Sequence, residues 1–297
     1  MSTSSNPNAE HADAAARLAV FGSPIAHSKS PTLHRIAYER LGFAWSYDSR
    51  QVEASELADV IASLGDEWRG LSLTMPLKQQ AFALCDELDA IATATGAVNT
   101  IRFRTVGDRR VLSGFNTDVG GIVRAIGAAG TASVHAAAII GGGATASSAV
   151  LAVAELGALH VTVAVRDATR AARLGDLATS LGLTIDFQGL DVELPAVPLV
   201  VSTLPGGAGV DPAPFTRHAA EALLFDVAYD PWPSDLARAW EQAGGNVLNG
   251  LAMLVHQAVL QIRIFRTGDP LVPLDDENAV LEAMLASVGL SPTGSTR

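Results

Sequence analysis

The sequence of 297 residues predicts an α/β protein with two domains. Three observations predict it. Short apolar runs alternate with helical patterns, the chain is longer than one ordinary hydrophobic core needs, and a glycine turn separates an apolar run from a helical pattern near residue 141. Strands that alternate with helices form parallel or mixed sheets, and such sheets hold ligands at the carboxyl edge of their strands.

The first part of the chain alternates strand and helix patterns. Each strand pattern is a short apolar run, and the segment that follows it carries apolar residues at helical spacing. In chain order we predict strand Leu18–Phe21, helix Pro31–Leu41, strand Ala44–Ser49, helix Ser55–Leu64, strand Gly70–Thr74 and helix Leu77–Leu84.

A second series of patterns begins near Asp118. It repeats the alternation of apolar runs and helical segments and ends in a long helical stretch. The predicted order is helix Asp118–Ala129, strand Ala136–Ile140, helix Ala144–Leu156, strand Leu159–Val165, helix Thr169–Leu181, strand Leu199–Thr203, strand Leu223–Val227, helix Ser234–Ala243 and a helical stretch from Asn249.

Composition argues against several partners. The formal net charge is −11 without a Lys/Arg-rich run, whereas nucleic-acid binding needs clustered cations. The uncharged stretch Ala125–Ala154 is interrupted by glycines into pieces too short to span a membrane, and Met1–Ala16 has no signal-peptide pattern and is expected to be a frayed tail. The seven histidines lack metal-ligand spacing, so no metal is expected. The single Cys85 fits a reducing compartment.

The glycine turn has the spacing of a phosphate-binding turn. The segment from Gly141 to Ala146 fits G-x-G-x-x-A between a strand and a helix. Glycines let the backbone approach a pyrophosphate, and a helix N-terminus offers unpaired N–H groups and a positive dipole end. This predicts a Rossmann-type dinucleotide-binding domain, with a plain strand-to-helix turn as the competing interpretation. The candidate contacts are Gly141, Gly142, Gly143, Ala144 and Thr145.

The end of the next strand indicates which dinucleotide is bound. An acidic side chain there would bind a free ribose 2′-hydroxyl, whereas arginines suit a 2′-phosphate. Arg166 and Arg170 therefore favour NADP, while Asp167 could bind a ribose or cap the following helix.

Two lysines stand out because the other 18 of the 20 Lys and Arg residues are arginine. Lysine can release a proton at a workable pH and arginine cannot. Lys78 follows a strand that ends near Thr74, which places both at the carboxyl edge of a sheet, although a solvated lysine is the alternative. Lys29 lies in another strand-to-helix turn between Ser28 and Ser30, whose hydroxyls could bind substrate oxygens or cap the helix.

Five motifs occur in one order along the chain and together resemble the shikimate dehydrogenase family, which includes shikimate/quinate dehydrogenases. They extend from residue 20 to the C-terminal helical stretch. They are Val20–Pro31 (VFGSPIAHSKSP), Leu73–Lys78 (LTMPLK), Gly96–Thr100 (GAVNT), Asn116–Asp118 (NTD) and Asn249–Gln257 (NGLAMLVHQ).

The resemblance implies an N-terminal α/β substrate domain over residues 17–117, completed by returning C-terminal helices over 250–290, with the NADP-binding Rossmann domain over 118–249 between them. It also implies a small-molecule substrate and the interconversion of 3-dehydroshikimate and shikimate with NADP, in the chorismate pathway of aromatic amino acid biosynthesis. The expected location is the cytoplasm, and a homodimer is left open.

The resemblance also implies roles for individual residues. Ser28 and Ser30 would hold the substrate carboxylate, and Lys78 and Asp118 would form the catalytic pair. Ring oxygens would be bound by Thr74, Asn99, Asp118 and Gln257, with Tyr229 also near the substrate and Gly250 near the cofactor. Val227 stands where the family often has methionine beside the nicotinamide.

The spacing of the last motif supports one of these assignments independently. Asn249, Met253 and Gln257 are four residues apart and therefore share one helix face. An apolar core stripe explains Met253 but not Gln257, because a buried amide needs a hydrogen-bond partner.

Three departures from the family pattern limit the transfer. The turn reads Gly-Gly-Gly-Ala-Thr where Gly-Ala-Gly-Gly-Ala is usual, Val165 and Asp167 flank Arg166 where Asn-Arg-Thr is frequent, and Val227 replaces the methionine. Two alternatives therefore stay open: an enzyme of the same fold that uses quinate with NAD, and a non-catalytic regulator that binds a dinucleotide or shikimate.

Overall fold

The computed structural model describes residues 15–169 and 171–294. The chain divides into two compact units. The first unit contains the described residues up to Thr117 together with Gln257–Val288, and the second contains Asp118–His256 with the described residues from Gly289.

The first unit is built on a mixed sheet of six strands. Its elements are β1 Ala16–Gly22, α1 Ser30–Leu41, β2 Trp45–Gln51, α2 Leu57–Ala62, β3 Trp68–Leu73, α3 Lys78–Leu84, β4 Glu87–Leu88, α4 Ala90–Thr95, β5 Thr100–Val106 and β6 Arg109–Phe115. Two C-terminal helices follow much later in the chain: α9 Gly250–Thr267, which belongs to this unit from Gln257, and α10 Glu277–Ser287.

The strands of this sheet lie in the order β2-β1-β3-β5-β6-β4. β1 is parallel to both β2 and β3, whereas β5 is antiparallel to β3 and to β6. On one face, Phe21, Leu71 and Ile101 are fully buried in a core with α2 and α3. Burying each such side chain contributes roughly 1.5–3 kcal/mol. The parallel centre places the carboxyl ends of β1 and β3 side by side.

The second unit is built on a sheet of six parallel strands. Its elements are α5 Asp118–Ala128, β7 Ala136–Ile140, α6 Ala144–Glu155, β8 His160–Ala164, α7 Ala172–Ser180, β9 Thr184–Gln188, β10 Leu199–Ser202, β11 Leu223–Asp226, α8 Asp235–Gln242 and β12 Asn246–Asn249. Short 3₁₀ turns lie at Ala213–Phe215 and Ala219–Glu221.

The strand order of the second sheet is β12-β11-β10-β7-β8-β9. Counted from β7, this is the order of a doubly wound dinucleotide-binding sheet, in which the winding direction reverses between the first and fourth strands. That reversal lies between β7 and β10, where ligands of such sheets bind. The predicted fold class, an α/β protein with a Rossmann-type portion, is confirmed.

Several predicted bounds were wrong. β1 begins at Ala16, inside the stretch 1–16 that was expected to be a tail. Residues 1–14 of that predicted tail lie outside the described residues, as does Arg170, a predicted cofactor contact. α2 is shorter than predicted at both ends, since it runs from Leu57 to Ala62. α7 starts at Ala172 rather than Thr169, because Asp167 accepts hydrogen bonds from the backbone and hydroxyl of Thr169 and holds a turn there.

Two further findings concern partners and metals. Within residues 15–169 and 171–294, no helix is long and apolar enough to cross a membrane. Across the same described part of the chain, His, Cys, Asp and Glu side chains form no group of three that could hold a metal ion.

Candidate active site

The carboxyl ends of β1 and β3 hold two loops together in the first unit. Thr74 donates its backbone N–H to Phe21 O at 2.9 Å, and Ser23 donates to Met75 O at 2.9 Å. A side chain at Gly22 would not fit, because a Cβ there would lie 2.3 Å from Thr74 Cγ2. The loop that leads to α1 and the loop that leads to α3 therefore emerge side by side.

Asn99 is fixed at this edge by both its backbone and its side chain. Its backbone N–H donates to Phe115 O at 3.0 Å, and its carbonyl accepts from Leu73 N at 2.7 Å. Its Oδ1 accepts from the Thr117 backbone N–H at 2.9 Å and from the Thr100 hydroxyl at 2.8 Å. Asn99 is 2% exposed, so the sheet holds a buried carboxamide in one orientation at its edge.

Gln257 meets Asn99 across 158 residues of sequence. Its Oε1 accepts from Asn99 Nδ2 at 3.4 Å and from the Thr117 hydroxyl at 3.2 Å, and the side chain is 6% exposed. The expectation that this amide needs a partner is therefore met by two polar groups of one site. The structure brings together the predicted residues Asn99 and Gln257 and a third residue, Thr117. No role was assigned to Thr117 from the sequence, although it lies within the Asn116–Asp118 motif.

Lys78 and Thr74 lie on the loop and first turn that follow β3. Lys78 is the first residue of α3 and is half-buried, and its carbonyl accepts from Val98 N at 2.9 Å. Val98 immediately precedes Asn99, so this bond connects the start of α3 to the segment that carries the carboxamide. Thr74 is half-buried at the end of β3, and its carbonyl accepts from Leu77 N at 2.9 Å.

The two serines lie at the start of α1. Ser30 is buried as the first residue of the helix, and Ser28 is half-buried. The Ser28 hydroxyl accepts from Ser30 N at 3.3 Å in a local turn, whereas the N-cap residue of α1 is Lys29, which makes no side-chain cap. A hydroxyl oxygen that accepts one bond still carries a hydrogen to donate, so this contact leaves Ser28 able to bind an anion.

Asp118 opens the second unit. It is the first residue of α5 and is 4% exposed. A carboxylate in the first turn of a helix is stabilised by the partial positive charge of the helix N-terminus.

The glycine turn connects β7 to α6 at the point where the sheet reverses its winding. Gly141 has φ +114°, and a Cβ there would lie 2.4 Å from Thr203 Oγ1. A Cβ on Gly142 would lie 3.1 Å from Val165 Cγ1, whereas one on Gly143 would meet no atom of the described residues within 4 Å beyond its own chain neighbours and helix. Only glycine therefore fits at the first position, where the chain passes closest to the end of β10.

The first turn of α6 contains the predicted contacts Ala144 and Thr145, both half-buried. Gly143 is the N-cap, and no side chain caps the helix. Further along, Ala146 is fully buried against the sheet, as the last small residue of the motif requires. These residues fit the pyrophosphate of a dinucleotide, because a glycine cradle and an uncapped helix N-terminus are what such a group binds.

The segment after β8 is exposed. Arg166 and Asp167 are solvent-accessible, and Asp167 bonds to Thr169 as described. The prediction that Asp167 caps the following helix was wrong, because the N-cap of α7 is Ala171 and no side chain caps it, whereas Asp167 bonds to Thr169 in the turn before the helix. Of the two arginines predicted to bind a 2′-phosphate, Arg166 is the one that lies within the described residues.

Val227 and Gly250 lie together at the carboxyl ends of β11 and β12, and Tyr229 follows β11 two residues after Val227. A Cβ on Gly250 would lie 2.0 Å from Val227 O, and the Gly250 N–H donates to Ala228 O at 3.3 Å. Glycine is therefore required where α9 begins beside Val227. Burial raises the pKa of the Tyr229 hydroxyl, so this group stays protonated and can donate a hydrogen bond.

Thr203 is a residue of the glycine-turn region to which no functional role was assigned from the sequence. It follows β10 directly, and its backbone N–H and hydroxyl both donate to Ile140 O, at 2.8 and 3.0 Å. A polar residue directly after a buried apolar run was the available signal. Its hydroxyl lies against the Gly141 turn and helps to fix that turn.

Comparisons with known proteins cover nearly the whole chain. Residues 20–101 match the family model described as the shikimate dehydrogenase substrate binding domain. A shikimate dehydrogenase (NADP(+)) from Anaeromyxobacter sp. (strain K) is 35% identical over 275 residues, which is 89% of this chain and 95% of the relative.

Two solved structures show the same similarity in three dimensions. Shikimate dehydrogenase from Mycobacterium tuberculosis has a TM-score of 0.80 with 40% identity, covering 91% of this chain and 99% of that one. Shikimate 5-dehydrogenase from Thermus thermophilus, in complex with NADP(H) and shikimate, has a TM-score of 0.73 with 31% identity, covering 91% and 98%.

Proposed function

This chain belongs to the shikimate dehydrogenase family, and from that premise we propose that it catalyses the reversible NADPH-dependent reduction of 3-dehydroshikimate to shikimate. The observation that carries the proposal is the 35% identity to an NADP(+)-dependent shikimate dehydrogenase over 89% of the chain. The buried pair of Asn99 and Gln257 at the edge of the first sheet supports it, because a polyhydroxylated ring needs fixed hydrogen-bonding groups.

The substrate is proposed to bind at the edge of the first unit. Ser28 and Ser30 would bind its carboxylate through their hydroxyls. Ring oxygens would be bound by Thr74, Asn99, Asp118, Tyr229 and Gln257. We propose residues 17–117 and 250–290 as the substrate domain and 118–249 as the NADP domain.

The cofactor is proposed to lie along the second sheet. Gly141, Gly142, Gly143, Ala144 and Thr145 would hold the pyrophosphate through backbone N–H groups, and Arg166 the 2′-phosphate; Val227 and Gly250 would border the nicotinamide. Arg170, also proposed for the 2′-phosphate, lies outside the described residues. When bound, the dinucleotide supplies or accepts the hydride.

Lys78 and Asp118 are proposed to handle the proton. Reduction of a ketone leaves an alkoxide, which is too basic to form unless a proton reaches the oxygen at the same time. The Lys78 ammonium would give that proton, and in the reverse direction its amine would remove it from the hydroxyl. Asp118 would orient the ammonium or the hydroxyl, so the two residues act as one pair.

The protein is proposed to work in the cytoplasm, in the chorismate route to the aromatic amino acids. The single Cys85 suits a reducing compartment. A homodimer is the proposed assembly, and light scattering of the purified protein tests it against a single chain of 30.7 kDa.

A spectrophotometric assay at the absorbance of the reduced nicotinamide tests the function. The purified protein is incubated with shikimate or quinate, each with NADP⁺ or NAD⁺. We expect the highest kcat/KM with shikimate and NADP⁺. Faster turnover of quinate with NAD⁺ would replace the substrate and cofactor assignment, and no absorbance change in any combination would leave a non-catalytic binding protein.

A further inference from the structure

Gln261 lies on α9 one turn after Gln257, so the two amides share one helix face. Gln261 is 2% exposed. A buried amide costs free energy unless both of its ends are hydrogen-bonded. Sequence reasoning assigned it no role, and its contacts lead directly to Asn99.

Backbone groups settle which way the Gln261 amide points. Its Nε2 lies 3.3 Å from the Asn99 carbonyl oxygen and 3.1 Å from Thr100 Oγ1. A carbonyl can only accept, so the nitrogen end must be the one that faces it. The Oε1 end therefore faces the other way, where it accepts from Ser72 Oγ at 2.8 Å and lies 3.3 Å from His34 Nε2.

His34 completes the donor side of this chain of bonds. Burial lowers the pKa of His34 to about 3, so the ring is neutral. Because His34 Nε2 faces the side-chain oxygen Oε1 of Gln261, Nε2 carries the hydrogen of the neutral ring. The other ring nitrogen, Nδ1, accepts from the Tyr38 hydroxyl at 3.0 Å. The ring stacks on Tyr47 with centroids 3.8 Å apart, which holds it in plane.

The Thr100 hydroxyl links the Gln261 amide to the Asn99 amide and helps to fix the orientation of the Asn99 side chain. Because Thr100 Oγ1 accepts from Gln261, its own hydrogen is available for Asn99 Oδ1, which lies 2.8 Å away. The Thr117 backbone N–H also donates to Oδ1 and cannot accept. Asn99 Nδ2 is therefore directed at the Thr117 hydroxyl and at Gln257 Oε1.

We propose that Gln261 is a positioning residue for substrate binding, acting with Thr100 to fix the donor and acceptor ends of the Asn99 and Gln257 amides. The inference rests on the proposed function, in which those two amides hold ring oxygens of shikimate. An amide that could rotate by half a turn would offer an acceptor where the ring oxygen needs a donor. Gln261 and Thr100, together with the Thr117 backbone N–H, restrict that rotation before the substrate arrives, which lowers the cost of binding.

A pair of substitutions at Thr100 isolates the hydroxyl. Thr100→Val keeps the shape of the side chain and removes the bridge between Gln261 and Asn99, whereas Thr100→Ser keeps the bridge. We expect Thr100→Val to raise the Kd of shikimate, measured by calorimetry, and its KM by about tenfold, as loss of one well-placed hydrogen bond does. The KM of NADP⁺ should stay within twofold in both variants.

Gln261→Glu gives a test that depends on pH. A protonated carboxyl can still donate its one hydrogen to Thr100 Oγ1, whereas a carboxylate would accept the Thr100 hydrogen and draw it away from Asn99 Oδ1. Burial keeps such a carboxyl protonated to higher pH than usual. The titratable groups around it are His34 and Tyr38 on α1, Tyr47 on β2 and, beyond Tyr38, Arg69 on β3.

The expected result is a shikimate KM near that of the wild type at pH 6 that rises at least about tenfold relative to the wild type by pH 9. Gln242→Glu is the matched control, because it makes the same change at an exposed position of α8. Its KM profile should follow the wild type.

The outcomes separate the two hypotheses. If the wild type does not turn over shikimate, the proposed function fails. If the wild type is active and Thr100→Val binds shikimate as tightly as Thr100→Ser does, the positioning role is wrong. A Gln261→Glu profile parallel to the wild type also overturns it, since a purely structural role would lower the melting temperature without a pH-dependent change in KM.

Discussion

The two units use different chemistry at the carboxyl edges of their sheets. In the first unit the edge consists of buried polar side chains, such as Asn99 and Gln257, that orient one another. In the second it consists of backbone, with Gly141 fitted against Thr203 at a positive φ and an uncapped helix N-terminus beside it. Side-chain networks suit a ligand whose individual hydroxyls must be distinguished, whereas a backbone cradle suits a pyrophosphate that is the same in every dinucleotide.

The largest expected effect is at Lys78. Lys78→Ala should lower kcat by roughly 10²- to 10⁴-fold, as removal of a general acid or base does, with a smaller change in shikimate binding. Lys78→Arg should be nearly as slow, because arginine keeps the charge but cannot release the proton. Lys29→Ala, at the only other lysine, serves as the control and should retain kcat within about threefold. Wild-type turnover in folded Lys78→Ala would remove Lys78 from the mechanism.

Each unit contains a buried histidine, and these should make stability depend on pH. Burial lowers the pKa of His34 in the first unit to about 3, and burial together with Arg124 lowers that of His256 in the second to about 4. In the unfolded chain these two histidines take up protons near pH 6.5, whereas in the folded protein they stay neutral until pH 3–4. The free energy of unfolding should therefore be highest above pH 6.5 and should fall as the pH falls towards 3–4. For His34 alone, the loss at pH 4 should be about 3 kcal/mol.

Urea titrations at several pH values measure this dependence. His34→Gln should be less stable than the wild type at pH 7 but should lose less stability between pH 6.5 and pH 4. Equal slopes for the wild type and the variant would show that His34 does not remain neutral in the folded protein.

A substitution in the glycine turn should weaken binding of the cofactor and leave binding of the substrate unchanged. Gly141→Ala places a Cβ at φ +114° against Thr203, which costs about 1–3 kcal/mol and displaces the turn. We expect a higher Kd for NADPH with an unchanged Kd for shikimate, both measured by calorimetry. Gly127→Ala, an exposed position in α5 where the new Cβ meets no described atom within 4 Å outside its own helix, should be neutral or stabilise by up to about 1 kcal/mol.

The smallest expected effect concerns cofactor choice. Arg166→Ala removes one exposed guanidinium proposed to bind the 2′-phosphate. The ratio of kcat/KM for NADP⁺ to that for NAD⁺ should fall by about tenfold, or 1.4 kcal/mol, with NAD⁺ kinetics unchanged. An unaltered ratio would mean that other residues select the cofactor.

The sequence predicted the second unit better where strands are buried on both faces. The run Ala136–Ile140 is apolar throughout and ends at glycine, so its bounds agree with β7. The edge strands β9 and β12 were missed, because a short strand with exposed residues lacks a continuous apolar run. The pair β5 and β6 was missed because arginines alternate with Ile101 and Phe103 in β5, so this half-buried strand contains no continuous apolar run.

The candidate site was predictable only as separate segments. The motifs pointed to Asn99 and to Gln257, and the four-residue spacing on α9 indicated that Gln257 needs a partner. The contact between them depends on tertiary packing across 158 residues. His34 and Gln261 could not be predicted, because a single polar residue on a helix gives no sign of which buried group it will meet.

A crystal structure of the protein with shikimate and NADP⁺ tests the central claim most directly. We expect shikimate at the edge of the first unit, with ring oxygens within about 3.2 Å of the Asn99 and Gln257 amides and of Lys78 Nζ. We expect the pyrophosphate at the Gly141 turn. Shikimate bound elsewhere, or at this edge without contact to either amide, would contradict the account.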